Sequence, residues 1–201
     1  MINRSEASVE YYNRHAEEYI QKSVDADMSD LRLKFQSMLP DKGWILDCGC
    51  GSGRDTLAFK QAGFIVLPVD GSIEMCKAAE RLTVISARCM MFDEIDFEDQ
   101  FDGIWACASL LHVEKAEIPV LLKKLNKAAK DNCILYMSFK YGNFDDNRNE
   151  RHYTDLTEED VGLLCSEETG WDLIRTVNTG DTLGRQTTWI NIFARKHKAT
   201  R

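Results

Sequence analysis

The sequence predicts an α/β protein: a seven-stranded, mostly parallel sheet with a reversed C-terminal strand, helices on both faces, and a helical segment in front. Three observations predict it. From residue 44 to about residue 166, short buried runs alternate with helix-length amphipathic runs, the spacing of parallel strands joined by right-handed crossovers. The last two apolar runs, "WDLIRTV" and "TTWINIFAR", have no helix between them; the turn-rich "NTGDTLGR" joins them as a hairpin, so one strand is antiparallel. The chain has 201 residues, 44% hydrophobic and 29% charged, which suits one domain with a sizeable core.

In chain order, residues 5 to 21 predict a helix, with Tyr12, His15, Ala16 and Tyr19 on one face. A second helix is expected over about 28 to 39 and ends before Pro40; the acidic "VDADMSD" between them is a solvated loop. Residues 1–40 thus form a helical cap and residues 41–201 the main fold, within one structural unit. "WILDC" is a short buried strand. Residues 54 to 62 form a helix, with the glycine of "AGF" closing its C-terminus. "FIVLPVD" is the second strand and "SIEMCKAAERL" the second helix of the alternation, with Ser72 as N-cap. A strand lies within 84 to 91, "FDGIWACAS" is the fourth, and residues 114 to 130 are a helix burying Ile118, Leu121, Leu122 and Leu125. "CILYMSF" is the fifth strand, and Thr157 caps a helix reaching about 166.

Composition narrows function. The net charge of −8 opposes wide contact with nucleic-acid phosphates and favours a small-molecule partner. No apolar run approaches the ~20 residues of a membrane span. The polar start, "MINRSEASVEYYNRHAEEY", lacks the apolar core of a secretory signal, so a cytoplasmic location is expected. Seven cysteines, an odd number set mostly in apolar runs, read as reduced thiols rather than a disulfide framework. Cys48 and Cys50 form C-x-C without a partner pair at ligand spacing, so no metal is expected.

The chemistry gathers at "WILDCGCGSGRDT". Gly49, Gly51 and Gly53 follow the first strand of the alternation, where an open α/β sheet binds ligands. The dinucleotide fingerprint G-x-G-x-x-G would need glycine at Arg54, and the Gly-Lys-Ser/Thr ending of a phosphate loop is absent. Asp70 ends the second strand 19 residues after Gly51, placed to accept from both hydroxyls of a ribose. Asp47, before the turn, suits an ammonium and would repel a pyrophosphate. A ligand with a ribose, a cationic amino-acid end and no phosphate is S-adenosylmethionine (SAM).

"LDCGCGSGRD" followed by "VLPVDGS" resembles the class I SAM-dependent methyltransferases, which are Rossmann-like. "YYNRHAEEY" is similar to their Y-x-x-x-A-x-x-Y opening helix and "FDGIWACASLLHV" to their fourth strand with its L-x-H-V exit, and the terminal hairpin matches their reversed last strand. The nearest branch is that of small-molecule enzymes of the tellurite-resistance type. The resemblance implies that residues 41–201 are a methyltransferase domain using SAM and releasing S-adenosylhomocysteine. It implies that Asp47, Gly49 and Gly51 hold the methionine end, that Gly53 lets the first helix pack closely, and that Asp70 takes the ribose beside Gly71, Ser72 and Met75. Met90 or Met91 stands where many relatives carry an acid for the adenine amino group, and Ala108 and Ser109 lie near the methyl group. There is no N/D-P-P-Y/F after the fourth strand, which argues against amide and exocyclic nitrogen targets.

Methyl transfer needs alignment and exclusion of water. Tyr11, Tyr12 and Tyr19 could form a lid, with a ring face near a sulfonium gaining about 0.5–2 kcal/mol, or simply pack the cap. His112, leaving the fourth strand, is the candidate proton acceptor, with a structural histidine as the other reading. "FKYGNFDDNRNERHY" reads as a loop after the fifth strand that offers Lys140, Tyr141, Arg148, Arg151 and Tyr153, with Arg185 from the hairpin turn, to an anionic substrate. The alternatives are a SAM-binding sensor or partner protein without turnover, and an NAD-dependent oxidoreductase. Either a monomer or a homodimer fits.

Overall fold

The computed structural model describes residues 4–23 and 26–197, the first two as backbone only. The expectations for residues 1–3 of the cap and for Val24 and Asp25 of the acidic loop lie outside them. Helices α1 (Arg4–Arg14), α2 (Ala16–Ser23) and α3 (Ser29–Gln36) precede the alternation β1 (Trp44–Cys48), α4 (Arg54–Gln61), β2 (Ile65–Asp70), α5 (Ile73–Thr83), β3 (Arg88–Cys89), β4 (Phe101–Ala106), α6 (Ile118–Ala128) and β5 (Ala129–Lys140). A short hairpin of β6 (Asp145–Arg148) and β7 (Arg151–Thr154) follows, then α7 (Glu158–Leu164), β8 (Trp171–Gly180) and β9 (Thr188–Lys196).

The seven-stranded sheet runs β3-β2-β1-β4-β5-β9-β8. Strands β1 to β5 pair in parallel, and β9 is antiparallel to both neighbours, so it alone is reversed. The central β1 is buried from Ile45 to Cys48, as a strand covered on both faces must be. The order reverses between β1 and β4, so their carboxyl ends open a crevice where ligands bind in such sheets.

Each face carries its own core. Phe35 of α3 and Phe59 of α4 close over Trp105, Tyr136 and Phe193, and Trp105 stacks on Tyr136 with ring centroids 3.8 Å apart. On the other face Leu121, Leu122 and Leu125 of α6 pack with Phe97, Phe101 and Trp171. Local chemistry sets the helix ends. Gly63, at φ +91°, lets the Phe64 N–H donate back to the Phe59 carbonyl, and Ser72 caps α5 by accepting from the Met75 N–H at 3.2 Å. Thr157 caps α7 in a reciprocal box with Asp160.

Three expectations are corrected. The helix expected over 5 to 21 is two helices, α1 and α2, interrupted at His15, whose Nδ1 bonds the Tyr11 carbonyl at 2.9 Å. Helix α6 begins at Ile118 rather than 114, with Pro119 in its first turn, where its missing N–H costs nothing. The loop expected after the fifth strand contains the β6–β7 hairpin. Its two-residue turn, Asn149 and Glu150, has φ +50° and +61°, which a glycine usually supplies. Among the described residues no helix is long and apolar enough to cross a membrane. All seven cysteines are free; Cys48, Cys50, Cys76 and Cys133 are buried and Cys89 is exposed.

Candidate functional site

The turn after β1 is left-handed at Gly49, Gly51 and Gly53, with φ +84°, +52° and +85°. Each glycine meets a different demand. A Cβ at Gly49 would stand 2.3 Å from Ser109 Cβ, and one at Gly53 2.9 Å from the Ala79 backbone of α5. A Cβ at Gly51 would meet nothing within 4 Å, because that glycine borders a cavity. Gly49→Ala combines the clash with a strained φ, so we expect a loss of about 2–4 kcal/mol of stability, read by urea unfolding. A loss below about 1 kcal/mol would mean that Ser109 yields.

Asp70 closes the turn. Its Oδ2 accepts the Gly51 N–H at 2.9 Å and its Oδ1 the Ser72 N–H at 2.8 Å, while the carboxylate borders the same cavity. Burial raises its pKa. The cavity, about 100 Å³, is lined also by Gly71, Met75, Met91, Ala108 and Ser109. Ala108 takes φ +51° and donates its N–H to Ser138 Oγ, while Ser109 Oγ donates to the Cys48 carbonyl, so the end of β4 is tied to β5 and β1.

Some expected contacts are not on the wall. Met90 turns to the core and Met91 lines the cavity. Ser72 is buried at the α5 cap, donating to Asn13 Oδ1 of α1 at 2.7 Å. Gly53 serves helix packing. Asp47 is 2% exposed and lies beneath the turn, where it accepts from Thr56 Oγ1.

That burial has a pH consequence. Desolvation, with the charge of Asp55 next, pushes the Asp47 carboxyl up to about 7 from 3.8. An acid raised on folding is protonated in the folded state and ionised in the unfolded one between those values. Stability from this group is therefore lost as pH rises from about 4 to 7, approaching a total of about 4 kcal/mol. Asp47→Asn should remove that slope. In chemical unfolding at pH 5 and 7 of the protein without ligand, wild type and variant should diverge by roughly 2–3 kcal/mol; parallel pH profiles would refute the shift. The variant comparison is needed because burial holds His112 down at about 3, and that group adds stability as pH rises toward 6.5.

Tyr12 and Tyr19, edge to face with centroids 4.9 Å apart, close the cavity from the cap, and Tyr11 stacks on His15 and under Arg151. His112 Nδ1–H donates to the His152 carbonyl at 2.7 Å, which fixes its tautomer because a carbonyl only accepts. Its Nε2 then accepts from Tyr12 OH at 2.8 Å, and that hydroxyl also accepts from Arg151 Nη1 at 3.3 Å. Both ring nitrogens are occupied and the ring is neutral. In this arrangement His112 positions Tyr12 and is not poised as a base.

A second cavity, about 320 Å³, adjoins the first and shares Tyr12, Tyr19, Cys107, Ala108 and His112 with it. Lys140, Arg151, Tyr153 and Arg185 line it. Tyr141 and Arg148 do not: Tyr141 OH donates to Glu158, and Arg148 lies over the Phe144 ring. Neither lines the cavity, so both are corrected as candidate substrate contacts, although Arg148 still lies 5.8 Å over the Tyr153 ring.

Sequence reading missed Asn13, Cys107 and the role of Arg54. Arg54 donates to both oxygens of Asp55, which also accept from Arg32 and from Trp105 Nε1, and it reaches the Ser23 carbonyl at the end of α2. The adjacent "RD" after the glycines was the only available signal, and it was read only as a missing glycine.

Residues 45–132 match the family model of the methyltransferase domain. The fold of the chain is shared by solved SAM-dependent methyltransferases. The 1,6-didemethyltoxoflavin-N1-methyltransferase of Burkholderia thailandensis, solved with 1,6-didemethyltoxoflavin and S-adenosylhomocysteine, superposes with a TM-score of 0.81 at 19% identity, covering 96% of this chain and 88% of that one. Magnesium protoporphyrin IX methyltransferase of Synechocystis PCC 6803, solved with SAM, gives 0.72 at 18% identity and 98% of both chains. The Bacillus subtilis protein YqeM, whose name gives a methyltransferase class and no substrate, is 32% identical over 117 residues, 52% of this chain and 47% of its own. The chain spans about half or less of the length of the curated relatives it matches. The matched segment, less than half of the chain, ends near the start of β5, so the β6–β7 hairpin and the reversed strand lie beyond it.

Proposed function

We propose that this chain is a SAM-dependent methyltransferase acting on a small molecule, with the donor in the first cavity and the acceptor in the second. One observation carries the reading: the glycine turn and the Asp70 carboxylate face one cavity, with Arg54 where a dinucleotide site needs glycine. The residues present fit the donor. The open space at Gly51 admits close approach of a ligand, Asp70 offers lone pairs to a ribose, and Met75, Met91 and Gly71 give an apolar bed for adenine. The first cavity alone is narrow, and with the adjoining one it reaches the usual size of a ligand site. SAM supplies a methyl group already activated on a sulfonium.

The chain's own residues do the rest. Gly49 and Gly51 bring backbone to the methionine end, whose ammonium would favour the ionised form of Asp47 beneath the turn. Ala108 and Ser109, fixed by their bonds to Ser138 and Cys48, set the floor. The cap, residues 1–40, is the lid. Tyr12 and Tyr19 exclude water, and His112 holds the Tyr12 hydroxyl in place. An acceptor that needs no proton removed suits a site whose histidine is neutral and fully engaged. Two solved neighbours whose names give a substrate, 1,6-didemethyltoxoflavin and magnesium protoporphyrin IX, support a small-molecule acceptor, while a curated relative is named for a malonyl group carried on a protein.

Calorimetric titration tests the reading. SAM and S-adenosylhomocysteine should bind with micromolar affinity and NAD should not. NAD binding without SAM would overturn it; SAM binding without turnover across an acceptor screen would favour a sensor.

A further inference from the structure

We infer that the acceptor is a small aromatic acid, held as its anion by Lys140 and Arg151 in the second cavity. This rests on the reading of that cavity as the acceptor site.

The cavity holds four cations, and they differ in what they face. Arg54 and Arg185 are spent on Asp55 and Asp181 at 2.6–3.0 Å. Among the described residues, Lys140 and Arg151 have no acid within 4 Å. Lys140 lies over the Tyr153 ring, its Nζ 3.9 Å from the centroid. Arg151 lies 4.3 Å over Tyr11, with Tyr153 at 5.2 Å and Tyr12 at 5.6 Å, and its Nη1 donates to Tyr12 OH. Its Nε is buried without a partner. Ring faces give a cation part of the stabilisation that water would, and leave its N–H donors unfilled. Burial and the neighbouring Arg148 hold the Lys140 ammonium below its usual range, the mark of a charge that lacks a counterion.

The acids nearby do not fill that role. Asp155 acts on Lys140 without reaching it, and its buried Oδ1 has no partner of its own. Asp181 is held by Arg185 and Trp189 Nε1; Asp27, which accepts the Ser29 N–H, and Asp30 also line the cavity, and neither pairs with Lys140 or Arg151. A carboxylate between Lys140 and Arg151 would accept two charge-assisted bonds. The walls beside it are the rings of Tyr12, Tyr19, Tyr153 and Trp189, which suit a flat conjugated body. Arg151 bonds Tyr12, which lines both cavities, so an anion there sits against the wall nearest the donor.

The test uses benzoate, benzamide and benzylamine as probes, titrated by ligand-observed NMR with and without saturating S-adenosylhomocysteine. Benzoate should bind roughly tenfold or more tightly than its neutral amide, with benzylamine weaker still. Lys140→Met and Arg151→Met should each abolish the preference, whereas Lys123→Met, on the outer face of α6 and paired to Glu168, should keep it. The wild-type ratio needs no variant to fold. Benzoate no tighter than benzamide, or a preference that survives both cavity variants, overturns the inference. Absence of S-adenosylhomocysteine binding would fell the methyltransferase reading instead, and the probe ratio measured without it would still decide the anion site.

Discussion

Asp70→Ala should weaken S-adenosylhomocysteine binding about a hundredfold, some 3 kcal/mol, with turnover falling in step at subsaturating SAM. The substitution removes two things at once. It takes away the acceptor that faces the cavity, and it orphans the Gly51 and Ser72 N–H groups that the carboxylate holds at 2.9 and 2.8 Å. Asp70→Asn separates them. An amide oxygen can keep one backbone bond and one ligand bond, while its NH₂ opposes the other backbone N–H, so its loss should be intermediate. Calorimetry on the three proteins reads the series. Unchanged affinity in Asp70→Ala would remove the ribose assignment, and with it the reason for placing the donor here.

Asp55→Ala should cost about 3–5 kcal/mol of stability, read by guanidinium unfolding. Asp55 accepts from Arg32 at 2.7 Å, from Arg54 at 2.8 and 3.0 Å, and from Trp105 Nε1 at 3.0 Å. Burial raises its carboxyl, but Arg54, Arg32 and Trp105 outweigh that and hold its pKa below the ordinary value. The Trp105 indole is fully buried and would lose its only acceptor, whereas Arg32 and Arg54 keep 16% and 24% side-chain exposure and can turn partly to water. A loss under about 1 kcal/mol would show that water replaces the carboxylate completely. Because Arg54 also reaches the Ser23 carbonyl, the variant should loosen α2, seen as faster amide exchange there than in α6.

What could be read in advance divides along a physical line. The alternation of strands and helices, the reversed β9, the Ser72 and Thr157 caps and the Gly63 terminus follow from short-range rules: periodicity, a side chain reaching three residues along, a φ that only glycine takes cheaply. The placement of Gly49 and Asp70 at the crevice follows from topology. The missed features depend on residues far apart in the chain. Nothing near His112 foretells that the His152 carbonyl and Tyr12 occupy its two nitrogens, 40 and 100 residues away. Asp47 carries no local sign that Thr56, not a ligand, meets its carboxylate. The β6–β7 hairpin hid because Asn149-Glu150 adopts a turn usually marked by Asn-Gly. With that hairpin unseen, Tyr141 and Arg148 read with Lys140 and Arg151 as one loop, although only the second pair lines the cavity.

Tyr12 and Tyr19 form a party wall: one side covers the first cavity and the other borders the second. In kinetic terms such a wall imposes an order of events. An acceptor seated against the outer side of these rings blocks the way to the inner cavity, so the nucleoside must load first and leave last. Product inhibition then becomes asymmetric. S-adenosylhomocysteine competes with SAM for the free enzyme, while the methylated product, which leaves first and rebinds only the S-adenosylhomocysteine complex, gives mixed inhibition against either substrate.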